Sequence, residues 1–91
     1  MKYLVRQTKR FRKELKLMLK RGADRTKLSA VVKILASGEK LPPQYRDHAL
    51  TGDMEGLRDC HITPDWVLLY TIQDDVLVLT LTRTGSHADL F

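Results

Sequence analysis

The sequence is poor in cysteine, proline and aromatic residues: it contains one Cys, three Pro and 7% Phe, Trp and Tyr. A single cysteine cannot form an internal disulfide, so a disulfide-stapled secreted domain is excluded and a cytoplasmic location is favoured. No apolar run reaches the length of a membrane span, and the first residues lack the apolar stretch of a signal peptide. We therefore expect a cytoplasmic protein without a membrane partner.

Acidic residues are outnumbered by basic ones. Eleven Asp and Glu against 16 Lys and Arg give a net charge of +5. The positive charge is concentrated between Lys9 and Arg21, where Glu14 is the lone acid, whereas residues 53–75 are rich in acids. This asymmetry favours a nucleic acid or an acidic protein as partner. From charge alone, an ordinary solvated helix face is the alternative explanation.

The length and the hydrophobic fraction predict one folded domain over residues 1–91, because 91 residues are too few for two cores. Tyr3-Leu4-Val5 is predicted as a first strand. Thr8 is a plausible N-cap for a helix that runs to about Arg21, and Asp24 for a second helix that ends at Gly38. Apolar residues at helical spacing give each helix one stripe for the core.

The second half of the chain predicts three strands. An extended connector, Leu41-Pro42-Pro43, follows the helices, because proline suits neither a helix interior nor a central strand. Strands are predicted at Leu57–Ile62, Trp66–Ile72 and Val76–Thr82, joined by short turns. The order β-α-α-β-β-β predicts an α+β fold, in which a twisted antiparallel sheet has two N-terminal helices packed on one face. The other face is left partly open.

Candidate catalytic groups lie in this second half. Side chains two apart in a strand share a face, so Asp59 and His61 are predicted to point the same way and Cys60 the other. A carboxylate beside an imidazole can fix its tautomer and raise its pKa, as acid–base catalysis requires. An ordinary surface pair is the alternative. Cys60 is most simply a small buried residue.

The two remaining histidines, His48 and His87, would complete a site if they converge on Asp59 and His61. Three imidazoles, nearby carboxylates and cations suit attack of an RNA 2′-hydroxyl on its own phosphate. A base removes the 2′-proton, an acid protonates the leaving 5′-oxygen, and cations hold the developing charge. The candidate cations near these segments are Arg46, Arg58 and Arg83.

Other chemistries find less support. The His, Cys and Asp spacings match no known zinc pattern, so no metal is expected. No nucleophile elbow surrounds a serine, and Gly85-Ser86 is not a phosphate-binding loop. Trp66 and Tyr70 could stack on bases, although core packing is the commoner role of strand aromatics.

Three segments together carry a resemblance to a known family. They read Asp47-His48-Ala49-Leu50-x-Gly52, Gly56-x-Arg58-Asp59-x-His61-Ile62-x-Pro64-Asp65-Trp66-x-Leu68-x-Tyr70, and Arg83-x-Gly85-Ser86-His87-Ala88-x-Leu90-Phe91. With the length, the order of elements and the proline connector, they closely resemble the YafQ branch of the RelE/ParE toxin superfamily. The resemblance covers essentially the whole chain.

The resemblance implies a type II toxin–antitoxin toxin that cuts mRNA in the ribosomal A site, without metal or cofactor, leaving a 2′,3′-cyclic phosphate. Its implied partners are a cognate antitoxin, the ribosome with its mRNA, and operator DNA only as the toxin–antitoxin complex. The basic helices would contact ribosomal RNA, with Lys9, Arg10 and Lys13 as the residues assigned to that contact.

The family's active-site residues, carried over by position, are His48, Asp59, His61, Asp65, His87 and Phe91. We hypothesise that His87 is the general acid and that Asp65, aided by His48 or His61, takes the 2′-proton. Phe91 would stack on a base, the alternative being that it packs into the core. Two other functions stay open: a ParE-like toxin that binds gyrase without catalysis, and a basic nucleic-acid-binding module.

Overall fold

Five strands and three α-helices make up the computed structural model, which describes residues 1–91. Single 3₁₀ turns at Pro43–Tyr45 and Gly52–Met54 flank the short second strand. In chain order, the elements are β1 Leu4–Gln7, α1 Lys9–Lys20, α2 Arg25–Ala36, β2 His48–Ala49, β3 Arg58–Thr63, β4 Trp66–Gln73, β5 Val78–Gly85 and α3 His87–Leu90.

The strands form one sheet in the order β1-β5-β4-β3-β2. The α+β class and the predicted order of the main elements are confirmed. The prediction of an antiparallel sheet was wrong at one edge, because β1 pairs parallel with β5, Leu4 opposite Val78. Parallel strands need a long crossover connection. Here the chain between β1 and β5 contains α1, α2 and three strands. The sheet is therefore mixed, and β2 and α3 are additions to the predicted elements.

The predicted helix starts are confirmed by their hydrogen bonds. The Thr8 side chain accepts from the Phe11 N–H at 2.9 Å, and the Asp24 carboxylate accepts from the Thr26 N–H at 2.9 Å. Each bond satisfies a backbone donor that has no partner within the helix. The bonds from Thr26 also lower the pKa of Asp24.

The main core lies between the sheet and the two long helices. Alternate residues of β3, β4 and β5 point toward the apolar stripes of α1 and α2. Cys60, Trp66 and Tyr70 are all buried there, which confirms their predicted roles as core residues. Burial raises the pKa of the Cys60 thiol, so this cysteine is structural.

The opposite face of the sheet is only partly covered. Val67 and Leu69 pack there against Leu90 of α3, and the partly buried Leu50, Met54 and Leu57 complete this small cluster. The C-terminal helix thus covers part of this face, while His48 and Ala49 of β2 remain exposed. No helix of the chain is long and apolar enough to cross a membrane.

The last strand lies further along the chain than predicted, at Val78–Gly85 instead of Val76–Thr82. Leu77 has φ 53° and belongs to the preceding turn. The register then shifts between the pairs Tyr70 with Leu81 and Leu69 with Arg83, which leaves Thr82 as an extra residue in β5. This bulge changes the face toward which the end of β5 points.

Thr84 provides a test of the packing at this end of the sheet. The buried Trp66 indole N–H donates to the Thr84 hydroxyl at 2.8 Å, and that hydroxyl donates to the Val67 carbonyl at 2.8 Å. Thr84→Val leaves the indole without a partner, so we expect the free energy of unfolding to fall by about 2 kcal/mol. Thr84→Ser keeps the hydroxyl and should cost about half as much. Urea unfolding of both variants checks this, and an equal or smaller loss for Val would contradict it.

Candidate active site

Strand register brings three of the predicted residues together on the accessible face. His48 in β2 is directly opposite Asp59 in β3, and His61 follows Asp59 at the next position on the same face. The neighbouring Cys60 points into the main core, as predicted from strand alternation. The face that carries His48, Asp59 and His61 is thus the one that α3 covers in part.

Two imidazoles lie beside the buried carboxylate of Asp59, and a third is near it. His48 Nε2 lies 4.0 Å from Asp59 Oδ2, and His61 Nε2 lies 3.6 Å from Asp59 Oδ1. The third imidazole, His87 at the start of α3, is close enough for its charge to lower the pKa of Asp59. The structure therefore supports the convergence that the sequence left open.

Asp59 is the electrostatic centre of this group. Its side chain is only 3% exposed, and Oδ1 has no hydrogen-bond partner. Burial raises the pKa of Asp59, while the charges of His48, His61 and His87 lower it. The arrangement can hold and exchange protons at a surface that remains open to a substrate.

His48 is fixed in one tautomer by its own backbone. Its Nδ1 lies 2.7 Å from the Arg46 carbonyl, which can only accept, so Nδ1 carries the proton. Nε2 of the neutral ring then has the lone pair. Arg46 has φ 50°, in the left-handed region, and this conformation directs its carbonyl back toward the ring. His48 is 54% exposed and is therefore accessible as a base.

A second network anchors the chain just before His48. The Asp47 carboxylate accepts hydrogen bonds from Nε and Nη2 of Arg58, each at 3.2 Å, and from the buried Tyr70 hydroxyl. Asp47 in turn raises the pKa of Arg58, and burial followed by this hydrogen bond raises the pKa of Tyr70. The segment leading into β2 is thus tied to β3 and β4. Sequence reasoning missed this role of Asp47.

Phe91 lies beside His87 at the end of the chain. Its ring centroid is 4.9 Å from that of His87, with an interplanar angle of 36°, and its side chain is 50% exposed. The alternative that Phe91 packs into the core is wrong, because Leu90 occupies the buried position. Stacking of Phe91 on a base stays a prediction.

Asp65 is the predicted catalytic residue that the structure does not join to the histidines. It is exposed at the turn between β3 and β4 and has no hydrogen bond or ion pair to an imidazole. It lines a groove that reaches Ser86, the residue before His87. Arg21 and Lys27 form the basic side of this groove.

The candidate cations are placed differently from one another. Arg46 is exposed, and Arg58 is 40% exposed while bound to Asp47. Arg83 is only 17% exposed and is paired with Glu14 at 2.7 Å, so its guanidinium is already neutralised inside the protein. This pair joins residues 69 positions apart, and no local pattern in the sequence signals it. The basic residues of α1 assigned to RNA, namely Lys9, Arg10 and Lys13, are all exposed.

No three or more His, Cys, Asp or Glu side chains are grouped so that they could hold a metal ion. The imidazoles lie around a carboxylate instead of around a common point, an arrangement that suits proton transfer.

Comparison with known proteins identifies the class. Over residues 3–91 the sequence matches the family described as the YafQ bacterial toxin of type II toxin–antitoxin systems. A curated relative, the mRNA interferase toxin YafQ of Escherichia coli strain K12, is 42% identical over 82 residues, 89% of this chain and 87% of that protein. The fold is that of a small bacterial toxin of a type II system. This chain belongs to the YafQ family.

Solved structures agree over nearly the whole length. YafQ in the crystal structure of the E. coli DinJ–YafQ complex is 38% identical, with 98% of each chain covered and a TM-score of 0.88. A metal-bound toxin from Helicobacter pylori is 40% identical, with 98% of this chain and 99% of that chain covered and a TM-score of 0.91. The family identified from the three sequence segments is thereby confirmed.

Asp59→Asn tests whether the buried carboxylate lowers the stability of the fold. Because burial raises the pKa of Asp59, the folded protein loses stability as pH rises through that pKa. Asparagine has no charge to bury. At pH 8 we therefore expect Asp59→Asn to have a higher melting temperature, with a free energy of unfolding about 1 kcal/mol larger than that of the wild type. The difference should vanish as pH falls toward the ordinary carboxyl pKa of about 3.9.

Calorimetry of both proteins from pH 4 to 8 checks this expectation, with the exposed Asp75→Asn as the control for loss of an acid. A lower melting temperature for Asp59→Asn at pH 8 would show that the ionised carboxylate stabilises the fold, contrary to this account.

Proposed function

We propose that this toxin is an mRNA interferase that cleaves mRNA on the translating ribosome, by acid–base catalysis from its three histidines. The observation that supports this most directly is the group of imidazoles around the buried Asp59, beside the exposed ring of Phe91. A protein that acts by binding alone has no need of a buried carboxylate that destabilises its fold. The name of the E. coli relative, an mRNA interferase toxin, agrees with this function.

The geometry suggests a role for each group. His48, with its Nε2 lone pair free, accepts the proton of the RNA 2′-hydroxyl. The 2′-oxygen attacks the adjacent phosphorus, and His87 protonates the leaving 5′-oxygen. His61, held beside Asp59, stabilises the negative charge on the phosphorane oxygens. The products are a 2′,3′-cyclic phosphate and a free 5′-hydroxyl.

Asp65 and Phe91 act in substrate positioning in this scheme. Asp65 is too far from the imidazoles for a hydrogen bond, so the base role assigned to it from the sequence passes to His48. Its groove adjoins Ser86, where it can contact the RNA next to the cleaved bond. Phe91 offers an exposed ring on which a base can stack.

The ribosome would supply much of the positioning of the mRNA relative to the toxin. The site is shallow, and His48 and Phe91 are both about half exposed, so the protein alone holds an RNA strand loosely. Binding in the ribosomal A site would fix the mRNA and the toxin relative to each other, which lowers the entropic part of the barrier. The exposed residues Lys9, Arg10 and Lys13 of α1 would contact ribosomal RNA, and the exposed Arg46 would contact mRNA phosphates. Arg58 lies on the Cys60 side of β3 and is bound to Asp47, so it holds the segment before His48 in place.

A cognate antitoxin completes the system. The E. coli relative was solved as the DinJ–YafQ complex, and the net charge of +5 of this chain favours an acidic partner segment. We propose that the antitoxin neutralises the toxin, that the pair binds operator DNA only as a complex, and that the free toxin acts in the cytoplasm, where ribosomes translate.

His87→Ala tests the enzymatic function. Without the general acid, we expect cleavage of a translated mRNA to slow by about 10²–10⁴-fold. Primer extension with and without ribosomes measures it, and the exposed Asp75→Asn variant should cleave like the wild type. Cleavage that persists in His87→Ala would contradict the acid role. Absence of cleavage by the wild type, with gyrase inhibited instead, would replace the enzyme by a gyrase-binding toxin.

The cleavage chemistry predicts metal independence. Acid, base and cation all come from side chains here, so we expect the rate to be unchanged after EDTA treatment of the toxin. The test is made in a single turnover on preformed ribosome complexes, which keep the magnesium that they need. Mass spectrometry of the product should show a 2′,3′-cyclic phosphate. A 3′-hydroxyl product, or a rate restored only by added transition metal, would contradict the scheme.

A further inference from the structure

The segment that carries His87 and Phe91 cannot position itself. It consists of the one-turn helix His87–Leu90 and the residue that follows. An isolated helix of one turn is unstable in water, because nucleation costs more than a single turn returns. The placement of two proposed active-site groups therefore depends on contacts that this turn makes with the rest of the protein.

Asp89 makes most of the polar contacts of this segment. Its carboxylate Oδ2 accepts from the Ser86 N–H at 2.9 Å, and its own N–H donates to the Ser86 hydroxyl at 3.1 Å. These two bonds form a capping box, which fixes the start of the helix where His87 lies. The Ser86-x-x-Asp89 spacing is the sequence signal for it, and it was missed.

Arg21 connects this box to the end of α1. Its Nη1 donates to Asp89 Oδ2 at 2.7 Å, across 68 positions of the chain. The backbone at Gly85 approaches closely as well, since a Cβ there would lie 3.0 Å from the Asp89 Cβ. The hydrogen bonds from Ser86 and Arg21 lower the pKa of Asp89 to about 2, so the carboxylate is charged throughout the neutral range.

We propose that Asp89, held by Arg21, is a positioning residue that sets His87 and Phe91 against Asp59 and His61. The inference rests on the proposed function and adds two residues to it, neither of which touches the reacting atoms. Leu90 supplies the apolar half of the same anchor by packing on Val67 and Leu69.

The effect on activity should exceed the effect on stability. The ion pair is at the surface, with side chains 47% and 35% exposed, and such pairs contribute little to the free energy of unfolding. A displacement of about 1 Å of a catalytic group can nevertheless cost about 10²-fold in rate. Because Asp89 acts through His87 and Phe91 and contacts no substrate itself, its loss should lower kcat far more than it raises KM.

The test compares Asp89→Ala with Asp89→Glu in ribosome-dependent cleavage. Glu is the residue that favours a capping box at this position, and its carboxylate can still reach Arg21. We expect Asp89→Ala to lower kcat by about 10–100-fold with KM within about threefold, and Asp89→Glu to recover most of the rate. The exposed Asp75→Ala is the matched control and should behave as wild type. Equal rates for Asp89→Ala and wild type, or a loss confined to KM, would overturn the proposal.

Arg21→Ala distinguishes positioning from direct contact with RNA. If Arg21 acts through Asp89, Arg21→Ala lowers kcat, and the double variant with Asp89→Ala is no slower than the slower single variant. If the effects of the two single substitutions on kcat multiply in the double variant, or if Arg21→Ala raises only KM, the link between the two residues is refuted. Lys33→Ala, on the exposed side of α2, is the control for loss of a cation.

NMR of the free protein separates this inference from the proposed function. Asp89→Ala should shift the ring resonances of His87 and speed amide exchange over residues 87–91, while exchange in β3 and β4 stays as in the wild type. This NMR measurement needs no cleavage assay. If the wild type does not cleave mRNA, the proposed function fails and the NMR result still decides the positioning role. Unchanged His87 resonances and exchange rates would overturn it.

Discussion

A carboxylate buried without a hydrogen bond at one of its oxygens is the constraint on which this structure depends. Asp59 is 3% exposed, and Oδ1 faces His61 at 3.6 Å without a donor. Burial disfavours its charge, and the nearby imidazoles favour it. The stability of the buried charge therefore depends on where the three histidines are held. The contacts that hold His48, His61 and His87 in place therefore also fix the surroundings of Asp59.

The two faces of the sheet have different roles: one packs in the main core, and the other carries the candidate catalytic residues. The core between one face and the two long helices contains 16 buried residues, and it stabilises the domain. The other face has a cluster of three buried residues, and it can tolerate the cost of Asp59 because the first core is independent of it. The anchors of the site, Asp47 on one side and Asp89 on the other, connect it to elements whose positions the main core fixes.

Local patterns predicted the parts of the fold that local forces decide. Alternation placed Asp59 and His61 on one face, and the caps at Thr8 and Asp24 began the helices, because these features depend on neighbours in the chain. Parallel pairing of β1, the bulge at Thr82 and the Arg83–Glu14 pair escaped prediction. The β1 pairing and the ion pair join residues about 70 positions apart, and the bulge depends on how β4 and β5 align as partners. The same limit applies to the site, where convergence of the histidines required the tertiary register.

The central claim is that His48 and His87 act as base and acid around Asp59. The most direct measurement is single-turnover cleavage, on the ribosome, of an mRNA whose scissile 5′-oxygen is replaced by sulfur. A thiolate leaves without protonation, so the sulfur substrate should restore His87→Ala to within about tenfold of the wild type. His48→Ala should remain slow on both substrates. Recovery of His48→Ala alone, or equal loss for both variants on the sulfur substrate, would contradict the assignment.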